Sequence, residues 1–351
     1  MDFGTFHLYS VPPEKQPSDV VHEQFQQMLA ADRLGFREVW IAEHNARRYG
    51  FVGNSVSVAA SLAASTTRIR IGTAVTRLPV HHPLHLAEDL AYADILSGGR
   101  VDWGVGKGYD EHEFNTYGVN YAEREERWQE AFDAVRHMWS TGRTEFSGQF
   151  YNLGDGELIP LPEQRPTLPT YIMVSGSERS VVWAAERLLP IVIGSGPGWD
   201  DMREKLELYA ETAERHGHAR SDVERTVAQT WQLRPVHVAL TYEQAAQEFE
   251  KGLMWYMNSL ANRAMFGFSH ESRDYDYFLT HGSVVVGSPD KVVDELAEYN
   301  QRTGINNVIC WFNVGGQPAE QTVRAMEQFA GEVAPRLSDL LADGLRRSAV
   351  H

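Results

Sequence analysis

The chain has 351 residues, 42% of them hydrophobic and 23% charged, with a formal charge of −16 at pH 7. These are globular values, the length suits one large barrel with insertions, and no stretch reaches the ~20 apolar residues of a membrane helix. The negative charge disfavours nucleic acid and acidic membrane faces, but a small phosphate needs only a helix N-terminus and one or two cations and stays open.

Met1 to Phe6 reads as a strand without the basic region of a secretory signal, so a cytoplasmic location is expected. The helical pattern from Ser18 to Leu34 follows, with Gly35 placed to end it, and strand two is expected from Glu38 to Ala42. Further strands are expected at Arg68 to Thr76, Arg100 to Val105, Thr170 to Val174, Ile191 to Gly194, within Thr226 to Val238, and at Asn307 to Phe312. With Phe3 to Tyr9 these make eight, alternating with helices such as Glu123 to Trp139, which predicts an α/β protein of the (β/α)8 TIM barrel class. One domain is expected over residues 1–337, with a tail over 338–351. Insertions fall near 141–168, including a hairpin from Thr144 to Leu153, and near 250–285, where Gly252 to Ser283 reads as a lid. Cys310, the only cysteine, sits in an apolar run and reads as a packing residue.

Three strand ends carry distinctive groups: Glu43-His44-Asn45, Gly72-Thr73-Ala74-Val75 with Leu78-Pro79, and Gly98-Gly99-Arg100. With His82-Pro83, Ala87-Glu88-Asp89, Gly106-Lys107-Gly108, Trp183 to Arg187 and Thr303 to Asn307, their order and spacing resemble the bacterial luciferase family of flavin-dependent monooxygenases. The resemblance implies an enzyme that takes reduced FMN from a separate flavin reductase, reacts it with O2 to a flavin peroxide, and oxygenates a small or medium organic substrate such as an aldehyde or ketone. Two alternatives stay open: a deazaflavin-dependent oxidoreductase of the same superfamily, and a non-catalytic flavin-binding subunit.

His44 follows strand two on the rim where barrel enzymes place their chemistry, and imidazole exchanges protons near neutral pH. The resemblance makes it the acid/base residue. Glu43 is its neighbour, but successive strand residues point apart, so direct pairing is not expected. Ser175, Gly176, Ser177 and Ser180 open the helix after strand five and suggest a phosphate cradle, against the plainer reading that Ser177 caps that helix. Lys107 matches a cation position for the FMN phosphate, and Arg124 or Arg127 is expected to supply a second charge. By the same resemblance Ala74-Val75 marks a cis peptide beneath the flavin, while Tyr109, Phe114 and Glu113 become candidate walls and contacts of the ring.

Gly104 to Gly108 lacks the Walker spacing and reads as a close backbone approach at a strand end. Asn45 stands where light-emitting relatives have a second histidine, and Gly106 where relatives often carry a reactive cysteine, so neither light emission nor thiol chemistry is expected. Trp199, Trp231, Trp255, Tyr256, Phe266 and Phe268 are candidates to line an apolar pocket. His81, His82 and His85 lack the Cys or carboxylate spacing of a metal set, so no metal is expected. His82, and the small-residue helix from Ser55 to Ala64, point instead to a homodimer or a heterodimer with a related subunit.

Overall fold

The computed structural model describes residues 1–196, 198–260, 274–280 and 284–348, with side chains as far as Leu341. The apolar runs form strand one (Asp2–His7), two (Glu38–Ile41), three (Arg70–Thr73), four (Val101–Gly106), five (Thr170–Val174), six (Ile191–Ile193), seven (Trp231–Val238) and eight (Asn307–Trp311). Each pairs in parallel with the next, and strand eight returns to strand one with Asp2 opposite Asn307, closing an eight-stranded (β/α)8 barrel. A right-handed strand–helix–strand chain of this kind buries both faces of every strand, which is why the strands read as continuous apolar runs.

The helix Pro17–Leu34 stops at Gly35, whose φ of 93° is open to glycine at little cost. The barrel interior is filled by Phe6, Trp40, Tyr171, Trp231, Ile309 and Trp311. Trp40 lies so close to strand three that a Cβ on Gly72 would stand 2.4 Å from its ring, so the indole and the glycine require each other.

Three expectations shift. Strand seven, Trp231–Val238, falls within its expected span, where Thr226 belongs to the helix Arg220–Val227. The strand's outer residues 236–238 overreach strand eight and pair with an additional short strand that was not expected, Val285–Gly287, just after the region expected to be a lid. Residues 252–259 also leave that region: they complete the helix Tyr242–Ser259, whose buried Ala245, Phe249, Leu253 and Tyr256 recur at helical spacing. The helix Ala334–Ser348 runs past residue 337, and Leu337 is fully buried. The expected hairpin forms between Phe146–Ser147 and Asn152–Leu153, its turn amides held by the Glu130 carboxylate. No helix among the described residues is long and apolar enough to cross a membrane.

Candidate active site

A cavity of about 590 Å³ opens at the ends of the strands and gathers most of the residues singled out above: His44, Ala74, Val75, Lys107, Tyr109, Glu113, Arg124, Ser175, Gly176, Ser177 and Ser180. Arg127 is not among its lining residues; it pairs with Glu123 at 2.8 Å and lies over the Phe150 ring, so of the two candidate cations only Arg124 reaches the cavity.

His44 is held from both sides of its imidazole. The Glu113 carboxylate accepts a hydrogen bond from Nδ1 at 2.8 Å, which assigns that nitrogen its proton and leaves Nε2 for the cavity. The rings of Tyr49 and Tyr109 stand 5.0 and 5.6 Å from the imidazole at steep angles. Glu113 is 1% exposed and also accepts from Arg77 Nη1 at 2.5 Å, while Arg77 Nε lies 3.5 Å from Glu43. Glu43 in turn accepts from His81 Nε2 at 2.6 Å and from the Ser55 hydroxyl at 2.9 Å. The result is a row in which nitrogen donors alternate with carboxylates, His81–Glu43–Arg77–Glu113–His44, threaded through the rim. Burial opposes the charge on Glu43, yet His81, Arg77 and the Ser55 amide together hold its carboxyl below the usual range. The expected absence of direct Glu43–His44 pairing agrees with this geometry; the carboxylate that orients His44 comes from the short helix Glu111–Tyr117 instead.

The cradle lies across the cavity. Ser177 occupies the N-cap position of the helix Glu178–Glu186 but makes no side-chain capping bond, which removes the plainer reading of that serine. The hydroxyls of Ser175, Ser177 and Ser180 form no hydrogen bond among the described residues, so they and the first amides of this helix face the cavity, an arrangement that can bind an anion. Lys107 reaches the same cavity with its ammonium 2.7 Å from Glu125, and Arg124 lies over the Tyr121 ring. Arg179, not among the residues expected at the site, lines the cavity from the first turn of the same helix. A cation there opposes the helix dipole, and that unusual placement was readable in the sequence.

The wall between these two halves is apolar: Phe6, Leu8, Met173, Leu233, Tyr256 and Trp311. Tyr256, like Tyr109 on the rim, lines the cavity as expected. Trp231 is buried in the barrel, Trp199 lies in another depression, and Trp255 is half-buried against the core; Phe266 and Phe268 lie outside the described residues. Phe114 is fully buried behind the rim and is no wall of the cavity.

The Ala74–Val75 peptide is cis. Gly106 faces it: a Cβ there would stand 2.8 Å from Val75 Cγ2, so the branched side chain takes the space that a thiol at position 106 would need. Asn45 turns away from the cavity to donate to Thr116 Oγ1 at 2.5 Å. His82 and His85 meet edge to face at 5.2 Å, apart from the Glu43 contact made by His81. Cys310 is fully buried and burial pushes its thiol up, as a packing role requires.

A closed (β/α)8 barrel whose rim joins an oriented imidazole to a serine-lined helix N-terminus through an apolar cavity has the form of a barrel enzyme with its site at the strand ends. Comparison with known proteins gives the class a family: the model of the luciferase-like monooxygenases matches residues 1–307. The chain therefore belongs to the luciferase-like monooxygenase family, a family of flavin-dependent enzymes. It is 25% identical to the alkanal monooxygenase alpha chain of the Kryptophanaron alfredi symbiont, over 97% of this chain and 99% of that one. It is 27% identical to the 4-hydroxyprotoasukamycin monooxygenase of Streptomyces nodosus subsp. asukaensis, over 99% of this chain and 95% of that one. Among solved structures, monooxygenase RslO1 from Streptomyces bottropensis superimposes with a TM-score of 0.85 and 27% identity, covering 96% of this chain and 99% of that chain.

Proposed function

We propose that this protein is a monooxygenase that uses reduced FMN and O2 to oxygenate an apolar aldehyde or ketone, with His44 as its acid/base. The observation that carries this reading is the single cavity holding His44, oriented by Glu113, opposite three unpartnered serine hydroxyls at a helix N-terminus. The residues present fit FMN: the hydroxyls of Ser175, Ser177 and Ser180 and the first amides of Glu178–Glu186 suit its phosphate dianion, with Lys107, Arg124 and Arg179 supplying charge. Reduced FMN supplies the electrons that activate O2.

The chain's own residues do the rest. Glu113 fixes the imidazole so that Nε2 accepts or returns a proton at the reacting oxygen, and the apolar wall of Phe6, Leu8, Leu233 and Trp311 keeps water away from that point. Two of the cavity tyrosines, Tyr109 and Tyr256, remain phenols, because burial pushes both well above their ordinary range.

On this reading a separate flavin reductase delivers the reduced FMN, and the protein works in the cytoplasm as a homodimer or beside a related subunit. The exposed Tyr92, Ile95 and Leu96 on the helix Pro83–Ser97, next to the serine-rich helix Ser55–Ser65, support a partner surface there.

The test is turnover of an aldehyde and ketone panel under ¹⁸O2 with reductase-generated FMNH2. Labelled product that disappears in His44→Ala, with FMN binding retained, is expected. No product with FMNH2, and turnover with a reduced deazaflavin instead, would overturn the choice of cofactor.

A further inference from the structure

The apolar wall contains one polar atom that nothing in the described residues satisfies. Tyr256 is 7% exposed, lines the cavity from the helix Tyr242–Ser259, and packs its ring against Trp311 at 4.6 Å and 87°. Its hydroxyl makes no hydrogen bond among the described residues. Its ring neighbour Trp311 donates its indole N–H to the Asn313 carbonyl at 3.0 Å, and Tyr109, the ionisable group that faces it, is hydrogen-bonded to Tyr49. Tyr49 directs its hydroxyl to Asp110 and Glu113. A hydroxyl that faces an apolar cavity with no partner from its own chain is placed to bond a polar atom of whatever occupies that cavity.

The frame around that atom is also specific. Phe6 and Trp311 meet at 5.3 Å and 74°, Tyr256 and Tyr49 at 6.4 Å and 84°, so rigid rings set edge against face bound the space on this side. Rings locked in this way adapt poorly to a flexible chain and well to a flat body.

We propose that Tyr256 is the substrate-anchoring residue, donating its hydroxyl proton to the carbonyl oxygen of a flat, ring-bearing ketone whose body lies against Phe6, Leu233 and Trp311. This rests on the reading of the cavity as a flavin and carbonyl site, and it narrows the substrate from aldehydes and ketones at large to cyclic or aryl ketones. Burial keeps Tyr256 protonated across the working pH range, so it acts as a donor.

The experiment compares the FMN-loaded wild type with Tyr256→Phe, which keeps the ring and removes only the hydroxyl. Equilibrium dialysis measures 2-acetylnaphthalene, 2-ethylnaphthalene, which matches its shape without the oxygen, and 2-dodecanone, which matches its carbon count without the rings. The wild type is expected to hold the aryl ketone about tenfold tighter than the ethyl compound, and tighter than the chain ketone. In Tyr256→Phe that tenfold gap should close, with FMN affinity and melting temperature unchanged. A gap that survives the substitution, or a wild type that prefers 2-dodecanone, overturns the proposal. A fall in melting temperature overturns it too, because it would mean that the hydroxyl serves the fold. FMN titration separates the two levels: FMN bound without a ketone gap refutes the anchor alone, whereas no FMN binding by the wild type refutes the reading beneath it.

Discussion

Replacing Glu113 by Gln keeps the side-chain shape and removes one buried negative charge from between two donors. Glu113 is 1% exposed and Arg77 2%, so the guanidinium would be left in the rim with Glu43 as its nearest carboxylate, 3.5 Å from Nε. Removing one partner of a buried pair costs about 3–5 kcal/mol, and the remaining Glu43 argues for the low end, about 3 kcal/mol. Urea unfolding should show a lower midpoint at unchanged slope. The same change lets the imidazole lose its fixed tautomer, and turnover should fall about 100-fold while FMN affinity holds. The double variant Glu113→Gln/Arg77→Met should be less destabilised than the sum of its single variants, since the orphaned charge is gone. A Glu113→Gln protein as stable and as active as the wild type would refute the claim that this carboxylate holds both groups.

Other consequences follow from single contacts. His7, buried between Gln24 at 2.8 Å and Thr5 at 3.0 Å, is pushed by burial down to about 4. Its folded value is depressed, so the unfolded chain binds more protons between pH 4 and 6.5. Stability should therefore rise through that window by about 3 kcal/mol, and His7→Gln should flatten the rise in pH-dependent melts. Gly106→Cys should destabilise the protein because of its 2.8 Å approach to Val75 Cγ2, and Val75→Ala should rescue it in a double-mutant cycle. Lys107 spends its charge on Glu125, so Glu125→Gln should tighten FMN binding a few-fold and Lys107→Gln should weaken it, both read by flavin fluorescence.

Much of this site was legible in the chain because barrel enzymes put function at strand ends, and strand ends can be read from apolar runs. His44 after strand two and the serines after strand five were placed that way, and they line one cavity. What the order of residues could not supply was pairing across the rim. Glu113 lies 69 positions from His44, and its identity as the partner depends on a short helix whose Asp110 cap and length set the carboxylate's direction. Arg77 was missed for the same reason: a strand-end arginine reads as exposed, and only closure of the barrel buries it between two carboxylates. Tyr256 was legible by type, but the region around it reads as a lid, because its mixture of aromatics with Gly, Asn and Asp, beginning at Gly252, carries little clean periodicity. That glycine instead admits the Val314 carbonyl, which a Cβ would meet at 2.4 Å.

The central claim is that the serine cradle and its cations hold the phosphate of a flavin mononucleotide beside His44. Parallel fluorescence titrations with FMN and riboflavin, which differ by that phosphate alone, test it most directly. The account predicts FMN binding at least ~100-fold tighter than riboflavin, as two charge-assisted contacts of about 1.5 kcal/mol each require, with the gap shrinking in Lys107→Gln and Ser177→Ala. Equal affinity for the two flavins in the wild type would contradict it.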